Sequence, residues 1–205
     1  MKRYITQLGF VVLVAILAVL PLVSAAQTYR YPSSLEEAIG NPAINDNKQH
    51  KAIVSYQENM AKGLLEKNLN VMRTRNDEVI MVTIPADFLF APNDTQLLSN
   101  ADNILKQFSG LMRQSDFYRM VLAMYHDDTG SAQFCKSITE KRLLSVFDWF
   151  SIYSSTQYIS RFACGNSNPI LPNNSILNRR QNRRLEIYLI PGSIMIEQAK
   201  KGLLK

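Results

Sequence analysis

Apolar residues recur at helical spacing in two stretches of the chain. In residues 45–67 they follow one another at three- and four-residue steps, as Ile53, Tyr56, Met60 and Leu64. Residues 97–111 repeat this pattern, in Leu97, Ala101, Ile104, Phe108 and Leu111. The spacing places the apolar side chains on one face and predicts two amphipathic helices. Because Asn93 and Gln96 resemble a capping box, we expect the second helix to begin near Leu97.

Five shorter segments have the composition and alternation of β-strands. They are Leu69–Arg73, Glu78–Ile84, Phe117–Tyr125, Tyr158–Ala163 and Arg184–Ile190. The first two are separated by a short polar turn and predict a hairpin. The continuous apolar run of the third predicts a strand that is buried on both faces.

A third helix is predicted from Ala132 to Phe150, and a polar loop from Gly165 to Gln181. The resulting order, ββαβαββ, predicts an α+β fold. We expect a two-layer sandwich of a mixed β-sheet with helices packed on one face, preceded by the N-terminal helix. In this division, residues 27–68 form a linker and the N-terminal helix, residues 69–191 the sandwich, and residues 192–205 a basic C-terminal tail.

The first 26 residues have the pattern of a secretory signal peptide. Lys2 and Arg3 precede a charge-free apolar run from Leu8 to Val23, and Ala25 and Ala26 supply small residues at a cleavage point. An uncleaved membrane anchor is the alternative, because the apolar run approaches the roughly 20 residues that span a bilayer. In either case we expect the rest of the chain to be exported.

Composition and motifs argue against several functions. The chain has two His and two Cys, at positions that match no familiar zinc spacing, so no metal site is expected. It has no G-x-S-x-G, H-E-x-x-H or glycine-rich phosphate motif, so neither an enzymatic step nor a cofactor is expected. The net charge is +6. The basic run at residues 178–184 is explained as loop and strand, so nucleic acid is not an expected partner.

The segment Tyr125–Arg142 contains the candidate chemistry. Asp127 follows a buried strand, at the edge where open α/β sheets bind ligands. Arg142 interrupts the apolar face of the third helix, and a buried guanidinium needs a charged partner or a ligand. Asp127 is its nearest candidate partner. A purely structural Asp–Arg pair explains the same residues, so the spacing alone leaves both interpretations open.

Three motifs in order resemble the OmpA-like peptidoglycan-binding domain. Four residues fall on its central pattern, G-[HY]-T-D-x-x-G followed by an arginine fifteen positions after the aspartate: Tyr125, Asp127, Gly130 and Arg142. The segment Leu89–Leu97 is similar to the family's L-F-D-x-x-S-x-x-L segment, and Asn182–Ile187 to its closing N-R-R-V-E-I strand. The resemblance covers about residues 70–190 and implies an OmpA-like sandwich.

The resemblance also implies non-covalent binding of the peptide stem of peptidoglycan. Asp127 would bind the ammonium group of diaminopimelate and Arg142 its carboxylate, which suits a bidentate guanidinium. Further contacts are implied for Asn93, Thr129 and Arg183. Each has a structural alternative: a helix cap for Asn93, a turn for Thr129 and an ion pair for Arg183.

Several positions depart from the family's pattern: Ala91, Met124, His126 and Cys135. Cys135 stands where the family has asparagine, which removes a hydrogen-bonding group from the implied pocket. These departures favour an alternative hypothesis, a structural subunit of an envelope or secretion assembly that keeps the OmpA-like fold for protein contacts. Under both hypotheses the expected location is the periplasm, in association with the cell wall or outer membrane.

Export also leads to a prediction for the two cysteines. Cys135 and Cys164 form an even pair in an oxidising compartment, where such pairs are usually oxidised. Each lies near the end of a predicted element, and these ends could meet at one rim of the sandwich. We therefore expect a disulfide between them, and two separate thiols are the alternative.

Cleavage of the signal peptide can be tested directly. We expect mass spectrometry of the protein from a native bacterial envelope to show an N-terminus at Ala26 or Gln27, because small residues precede these positions. A protein that begins at Met1 and is extracted only by detergent would show instead that the segment is a retained anchor.

Overall fold

The computed structural model describes residues 29–204, which contain five strands, six α-helices and two single-turn 3₁₀ helices. The strands are β1 (Asn70–Thr74), β2 (Val79–Pro85), β3 (Tyr118–Tyr125), β4 (Ile159–Gly165) and β5 (Arg184–Pro191). The helices are α1 (Leu35–Gly40), α2 (Asn47–Leu65), α3 (Ala101–Ser109), α4 (Ala132–Tyr153), α5 (Ile176–Asn182) and α6 (Ser193–Lys201). The predicted signal peptide or anchor, residues 1–26, lies outside this described part of the chain. Within residues 29–204, none of the helices has the length and hydrophobicity needed to span a bilayer.

The strands form a single mixed sheet in the order β1-β2-β5-β3-β4. All neighbours are antiparallel except β3 and β4, which are parallel. The β3–β4 pair is parallel because α4 crosses over between them, as a βαβ connection requires. The predicted fold class, an α+β sandwich with a mixed sheet, is confirmed, and all five predicted strands are present.

The main core lies between the sheet and four helices, α2, α3, α4 and α6. Each helix contributes fully buried apolar side chains, among them Ile53, Leu105, Phe108, Val146, Phe150 and Met195. Alternate residues of β3 and β5 point into this core, including Met120, Leu122, Leu185 and Leu189. The predicted helix over 45–67 is confirmed, and its apolar stripe packs on the sheet as the periodicity requires.

Three short helices were not expected from the sequence. Helix α1 lies in the segment predicted as a linker and packs on the opposite face of the sheet, against residues such as Val121 and Ala123. Helix α5 forms part of the predicted polar loop from Gly165 to Gln181. Helix α6 forms most of the predicted basic tail and packs on α2. Helices α1 and α5 have only six and seven residues, too few for apolar periodicity to show in the sequence.

The predicted start of the helix near Leu97 is wrong. Helix α3 begins at Ala101, and Leu97 instead forms an isolated antiparallel bridge with Phe90. The backbone N–H of Leu98 also donates to the carbonyl of Leu89, at 2.9 Å. These backbone contacts close residues 90–97 into a tight loop, so the apolar side chain of Leu97 belongs to a bridge rather than to the helical stripe.

A buried polar contact joins α2 to the sheet. Gln57 is completely buried, and its Nε2 donates to the carbonyl of Glu78 at 2.7 Å. Its Oε1 accepts a hydrogen bond from the hydroxyl group of Tyr118 at 2.8 Å. Because unpaired polar groups are costly in an apolar core, these bonds make one position of α2 on the sheet preferable to others.

Two glycines provide a matched test of this packing. A Cβ atom on Gly192 would overlap the backbone carbonyl of Asp116, whereas a Cβ atom on Gly63, within α2, would meet no atom within 4 Å. We expect Gly192→Ala to lower the free energy of unfolding by more than about 2 kcal/mol. Gly63→Ala should raise it by about 0.5–1 kcal/mol, since alanine favours the helix. Urea denaturation of both variants checks this, and equal effects would contradict the described docking of α6.

Candidate binding site at the carboxyl end of β3

The candidate site lies where β3 ends beside β4. The N–H of His126 donates to the carbonyl of Gly165 at 2.6 Å, which extends the pairing of the two strands by one residue. Asp127 comes next, and its side chain has no exposed surface. Its carboxylate accepts a hydrogen bond from the backbone N–H of Thr129 at 2.8 Å and another from Nη1 of Arg183. The buried charge of Asp127 is therefore compensated by the protein.

Two opposing effects set the pKa of Asp127. Burial alone would raise it, but the hydrogen bonds from Thr129 and Arg183 favour the ionised form more strongly. The net pKa of the Asp127 carboxyl group lies below its ordinary value. Burial also lowers the pKa of the neighbouring His126, whose Nδ1 lies 3.1 Å from the carbonyl oxygen of Asp127. Asp127 is thus a carboxylate beside a neutral imidazole at neutral pH.

Arg183 is held in place by its backbone and by two carboxylates. It follows α5 directly, and its carbonyl accepts a hydrogen bond from Ala86 N–H at 2.9 Å. Its guanidinium lies between Asp127 and Asp87, with 3.8 Å from Nε to a carboxylate oxygen of Asp87. The side chain remains 25% exposed. Arg183 therefore covers Asp127 while it stays in contact with solvent.

Arg142 does not pair with Asp127, its nearest candidate partner in the sequence. Its Nε donates to the carbonyl of Asp94 at 2.8 Å and its Nη2 to the carbonyl of Ala91 at 3.3 Å. Its guanidinium also lies over the ring of Phe90, 5.0 Å from the centroid. No carboxylate of residues 29–204 is within ion-pair distance of it. Arg183, and not Arg142, is the arginine that forms an ion pair with Asp127. Arg142 instead holds the loop that follows Phe90.

The two arginines are nevertheless electrostatic neighbours. Burial lowers the pKa of Arg142, and the positive charge of Arg183 lowers it further, while the carboxylates of Asp87, Asp94 and Asp127 act in the opposite direction. Even so, an arginine stays protonated in proteins. Two guanidinium groups and one buried carboxylate thus share one corner of the molecule, a suitable arrangement for binding a carboxylate of a ligand.

Asn93 and Thr129 lie at the surface of the same corner. Asn93 is exposed in the loop that Arg142 secures, and its backbone is left-handed, with φ of 56°. It does not cap α3, whose N-cap residue is Asn100. Thr129 is exposed in the turn that follows β3. All five residues predicted for the site are therefore brought together, from four separate segments of the chain.

Sequence reasoning missed the acidic residues that surround this corner. Asp128 pairs with Arg179 and Asp87 pairs with Arg180, both at 2.9 Å. The basic residues belong to the run at 178–184, which we interpreted only as loop and strand. The signal was present in the sequence, since four arginines in seven residues need nearby anions, but it does not reveal which carboxylates supply them.

A second ion pair lies beneath the site, on the opposite face of the sheet. Arg184 is buried and donates to Glu186 at 2.7 Å, and its guanidinium lies 3.8 Å from the centroid of the Tyr125 ring. Glu186 also accepts a hydrogen bond from Tyr188 at 2.6 Å. Burial raises the pKa of both tyrosine hydroxyl groups, so they remain protonated donors. This network fixes the strands from which Asp127 and Arg183 emerge.

The predicted disulfide is not formed, and both cysteines are free. Successive residues of a strand point to opposite faces, and Cys164 points to the face covered by α1, whereas α4 packs on the other face. The Cys135 thiol instead contacts the carbonyls of Asp127 and Thr129, at 3.5 Å each. Burial raises the pKa of the Cys135 thiol, which keeps it a hydrogen-bond donor. Cys135 therefore supports the turn at 127–129.

Nothing in the described part of the chain resembles a metal centre. Among residues 29–204, no three His, Cys, Asp or Glu side chains lie close enough together to hold a metal ion. The charged groups of the site are instead arranged as Asp–Arg pairs with partly exposed guanidinium groups, which suits recognition of an organic ion through hydrogen bonds.

Comparisons with known proteins support the fold. No protein-family model matches the chain, and no curated protein matches its sequence. Among solved structures, a MotB-like protein from Desulfovibrio vulgaris is similar to it with a TM-score of 0.59 and 22% identity, over 69% of this chain and 98% of that one. The cell-wall anchor of the T6SS from Pseudomonas aeruginosa gives a TM-score of 0.54 and 16% identity, over 68% and 96%.

The periplasmic domain of Helicobacter pylori MotB is also similar, with a TM-score of 0.51 and 18% identity, over 65% of this chain and 90% of that chain. At such identities a shared fold is established, but residue roles are not. The OmpA-like fold that the sequence motifs predict is therefore confirmed.

The Asp127–Arg183 pair should make stability depend on pH. Because the folded pKa of Asp127 is lowered, its contribution is present above the unfolded value of about 4 and is lost as the pH falls through the folded value. At pH 7 we expect Asp127→Asn to cost about 2–3 kcal/mol, less than a fully buried pair because Arg183 is partly exposed. The difference from wild type should shrink at pH 3 in urea titrations.

Asp77→Asn is the matched control, because Asp77 is half exposed and lies 3.6 Å from Arg73. Its effect should be within about 0.5 kcal/mol at both pH values. A cost of Asp127→Asn that is the same at pH 7 and pH 3 would mean that the ionised pair does not stabilise the fold.

Proposed function

We propose that the chain binds peptidoglycan non-covalently, through diaminopimelate of the peptide stem, at the carboxyl end of β3. The observation that carries the proposal is the convergence of the five predicted residues at one corner: Asn93, Asp127, Thr129, Arg142 and Arg183. They come from four separate segments of the chain, and together they present charged and polar groups of both signs at one place. No bond of the ligand is broken, so the function is binding rather than catalysis.

Charge pairing determines how the ligand would be held. The free end of diaminopimelate carries one ammonium group and one carboxylate. Its carboxylate suits the two guanidinium groups of Arg142 and Arg183. Its ammonium group needs Asp127, which Arg183 covers in the structure. Binding therefore requires Arg183 to turn away from Asp127 towards the ligand carboxylate, and the nearby Asp87 can accept it during that movement.

The structural relatives support a role in the cell envelope. Among the proteins of the same fold, one is a cell-wall anchor and another a periplasmic domain. Together with the export signal expected at residues 1–26, they favour a periplasmic location at the cell wall. There the chain would tether the wall to the outer membrane or to an envelope complex.

A second candidate function is supported by the burial of Asp127 beneath Arg183. The Asp127 side chain has no exposed surface, and Cys135 occupies the position of the family's asparagine. If Arg183 never leaves Asp127, the corner is a structural ion pair. The chain would then be a structural subunit of an envelope or secretion assembly that uses this fold for protein contacts alone.

Sedimentation with purified sacculi separates the two functions. We expect the wild-type protein to co-sediment with diaminopimelate-type peptidoglycan, and both Asp127→Ala and Arg142→Ala to abolish this. Loss of one charge should cost about 2–5 kcal/mol of binding free energy, because the opposite charge of the ligand is left unpaired. Asn93→Gly adds a variant that keeps the left-handed backbone and removes only the exposed carboxamide, and it should weaken binding without affecting folding.

Arg119→Ala is the matched control. Arg119 pairs with Asp116 at 2.7 Å, at the other end of β3, so its loss removes a comparable ion pair away from the site. This variant should bind sacculi like the wild type. Undiminished sedimentation of folded Asp127→Ala and Asn93→Gly proteins would refute the diaminopimelate site and favour the structural subunit.

A further inference from the structure

An open groove of about 600 Å³ lies beside the candidate site. Its walls come from the segment between α2 and β1, the end of β2, helix α3, and the loop and helix α5. A volume of this size is within the range of small-molecule sites. None of the five residues of the candidate site lines this groove, so its function needs a separate explanation.

Exposed apolar side chains form part of the groove. Phe88, Ile170 and Leu177 all line it, and they are 48%, 51% and 70% exposed. Single exposed apolar residues are common, but three around one groove form a surface that favours a partly apolar ligand. The ring of Phe88 offers a flat face for such contact.

Four carboxamides contribute to the polar part of the lining: Asn68, Asn70, Gln107 and Gln181. Within residues 29–204, the Oε1 atom of Gln107 is buried and accepts no hydrogen bond. An unpaired buried acceptor is unfavourable and calls for an explanation. Because this atom is closed to solvent, an N–H or O–H donor of a ligand would reach it only after the Gln107 side chain turns into the groove.

The groove is continuous with the candidate site through a chain of ion pairs. Arg180 lines the groove and pairs with Asp87 at 2.9 Å. Asp87 is 3.8 Å from Arg183, which in turn binds Asp127. The groove and the candidate site are therefore linked by one series of paired side chains along the surface.

From these observations we propose that the groove binds the glycan strand of the polymer, through an N-acetylated hexosamine. The apolar face of the pyranose ring would lie on Phe88, and the carboxamides would bind its hydroxyl groups. The N–H of the acetamido group would donate to Gln107, with its methyl group against Ile170 or Leu177. This inference rests on the proposed function for the identity of the polymer, but not for the chemistry of the groove.

The charges of the groove favour a neutral ligand over an anionic one. Its two arginines are already paired, Arg180 with Asp87 and Arg184 with Glu186. Lys67 also lines the groove, but it is exposed to water, where a charge adds little to binding. An acyl chain in the groove would desolvate the four neutral carboxamides and offer them no hydrogen bonds, whereas the hydroxyl groups of a sugar would form hydrogen bonds with them. Among ligands of similar size, an N-acetylated sugar therefore satisfies both the apolar and the amide surfaces.

The test uses the full-length protein and two probes in calorimetric titrations. One is the β-1,4-linked tetramer of N-acetylglucosamine, which carries no peptide, and the other is a diaminopimelate-containing tripeptide, which carries no sugar. We expect saturable binding of the tetramer. Phe88→Ala and Gln107→Leu should each weaken it at least about fivefold. Neither change should alter tripeptide binding.

Two controls make the result specific. Leu144→Ala removes a side chain as exposed as Phe88, but on α4 away from the groove, and should leave tetramer binding unchanged. Gln107→Leu should not lower Tm, because it removes a buried acceptor without a partner. A variant that keeps its stability and loses saccharide affinity would support a binding role.

Other outcomes would overturn the inference. One is the absence of saturable tetramer binding. Another is a loss of tetramer affinity in Leu144→Ala equal to that in Phe88→Ala. The third is displacement of the tetramer by laurate, a free fatty acid, which would identify the groove as an acyl-chain site. Failure of the tripeptide alone, with the tetramer still bound, would refute the diaminopimelate site and leave the groove assignment supported. The reverse result would refute only the groove assignment.

Discussion

The candidate site depends on one constraint, the burial of the Asp127 carboxylate. A carboxylate without exposed surface must receive hydrogen bonds and a positive charge, or it becomes neutral. Thr129 supplies a backbone donor and Arg183 supplies the charge. These contacts connect the end of β3 to the end of α5, two elements that are distant in sequence. The position of Arg183, and with it the surface that a ligand would meet, follows from this requirement.

Several buried contacts around Asp127 keep that arrangement rigid. Arg142 holds the loop that carries Asn93 through two carbonyl groups, and Cys135 holds the turn after Asp127. Beneath the site, Arg184 joins the neighbouring strands. By contrast, the side chain of Arg183 is bound by carboxylates and is 25% exposed. The proposed binding mode therefore requires a change in this side chain and leaves the surrounding contacts in place.

The sequence by itself determined the α+β class, the five strands and the long helices α2 and α4, and it predicted the five candidate residues that lie at one corner of the structure. The fold class and these elements could be predicted because long apolar periodicities and strand alternation are local properties of a sequence. The motif around Asp127, Gly130 and Arg142 indicated the OmpA-like fold for the same reason, since its spacing is preserved in the chain. The short helices α1 and α5 were not predicted, because they contain too few residues to show a helical period of apolar positions.

Only the tertiary structure decided which partners the charged and reactive side chains have. In the sequence Asp127 was the nearest candidate partner of Arg142, but in the structure it pairs with Arg183, because α5 ends beside it. Similarly, the start of α4 and the end of β4 do meet, but the alternation of β4 directs Cys164 to the face of the sheet away from Cys135. Which face of the sheet each helix covers and which distant segments meet are set by long-range contacts, so the local pattern of residues does not determine these partners.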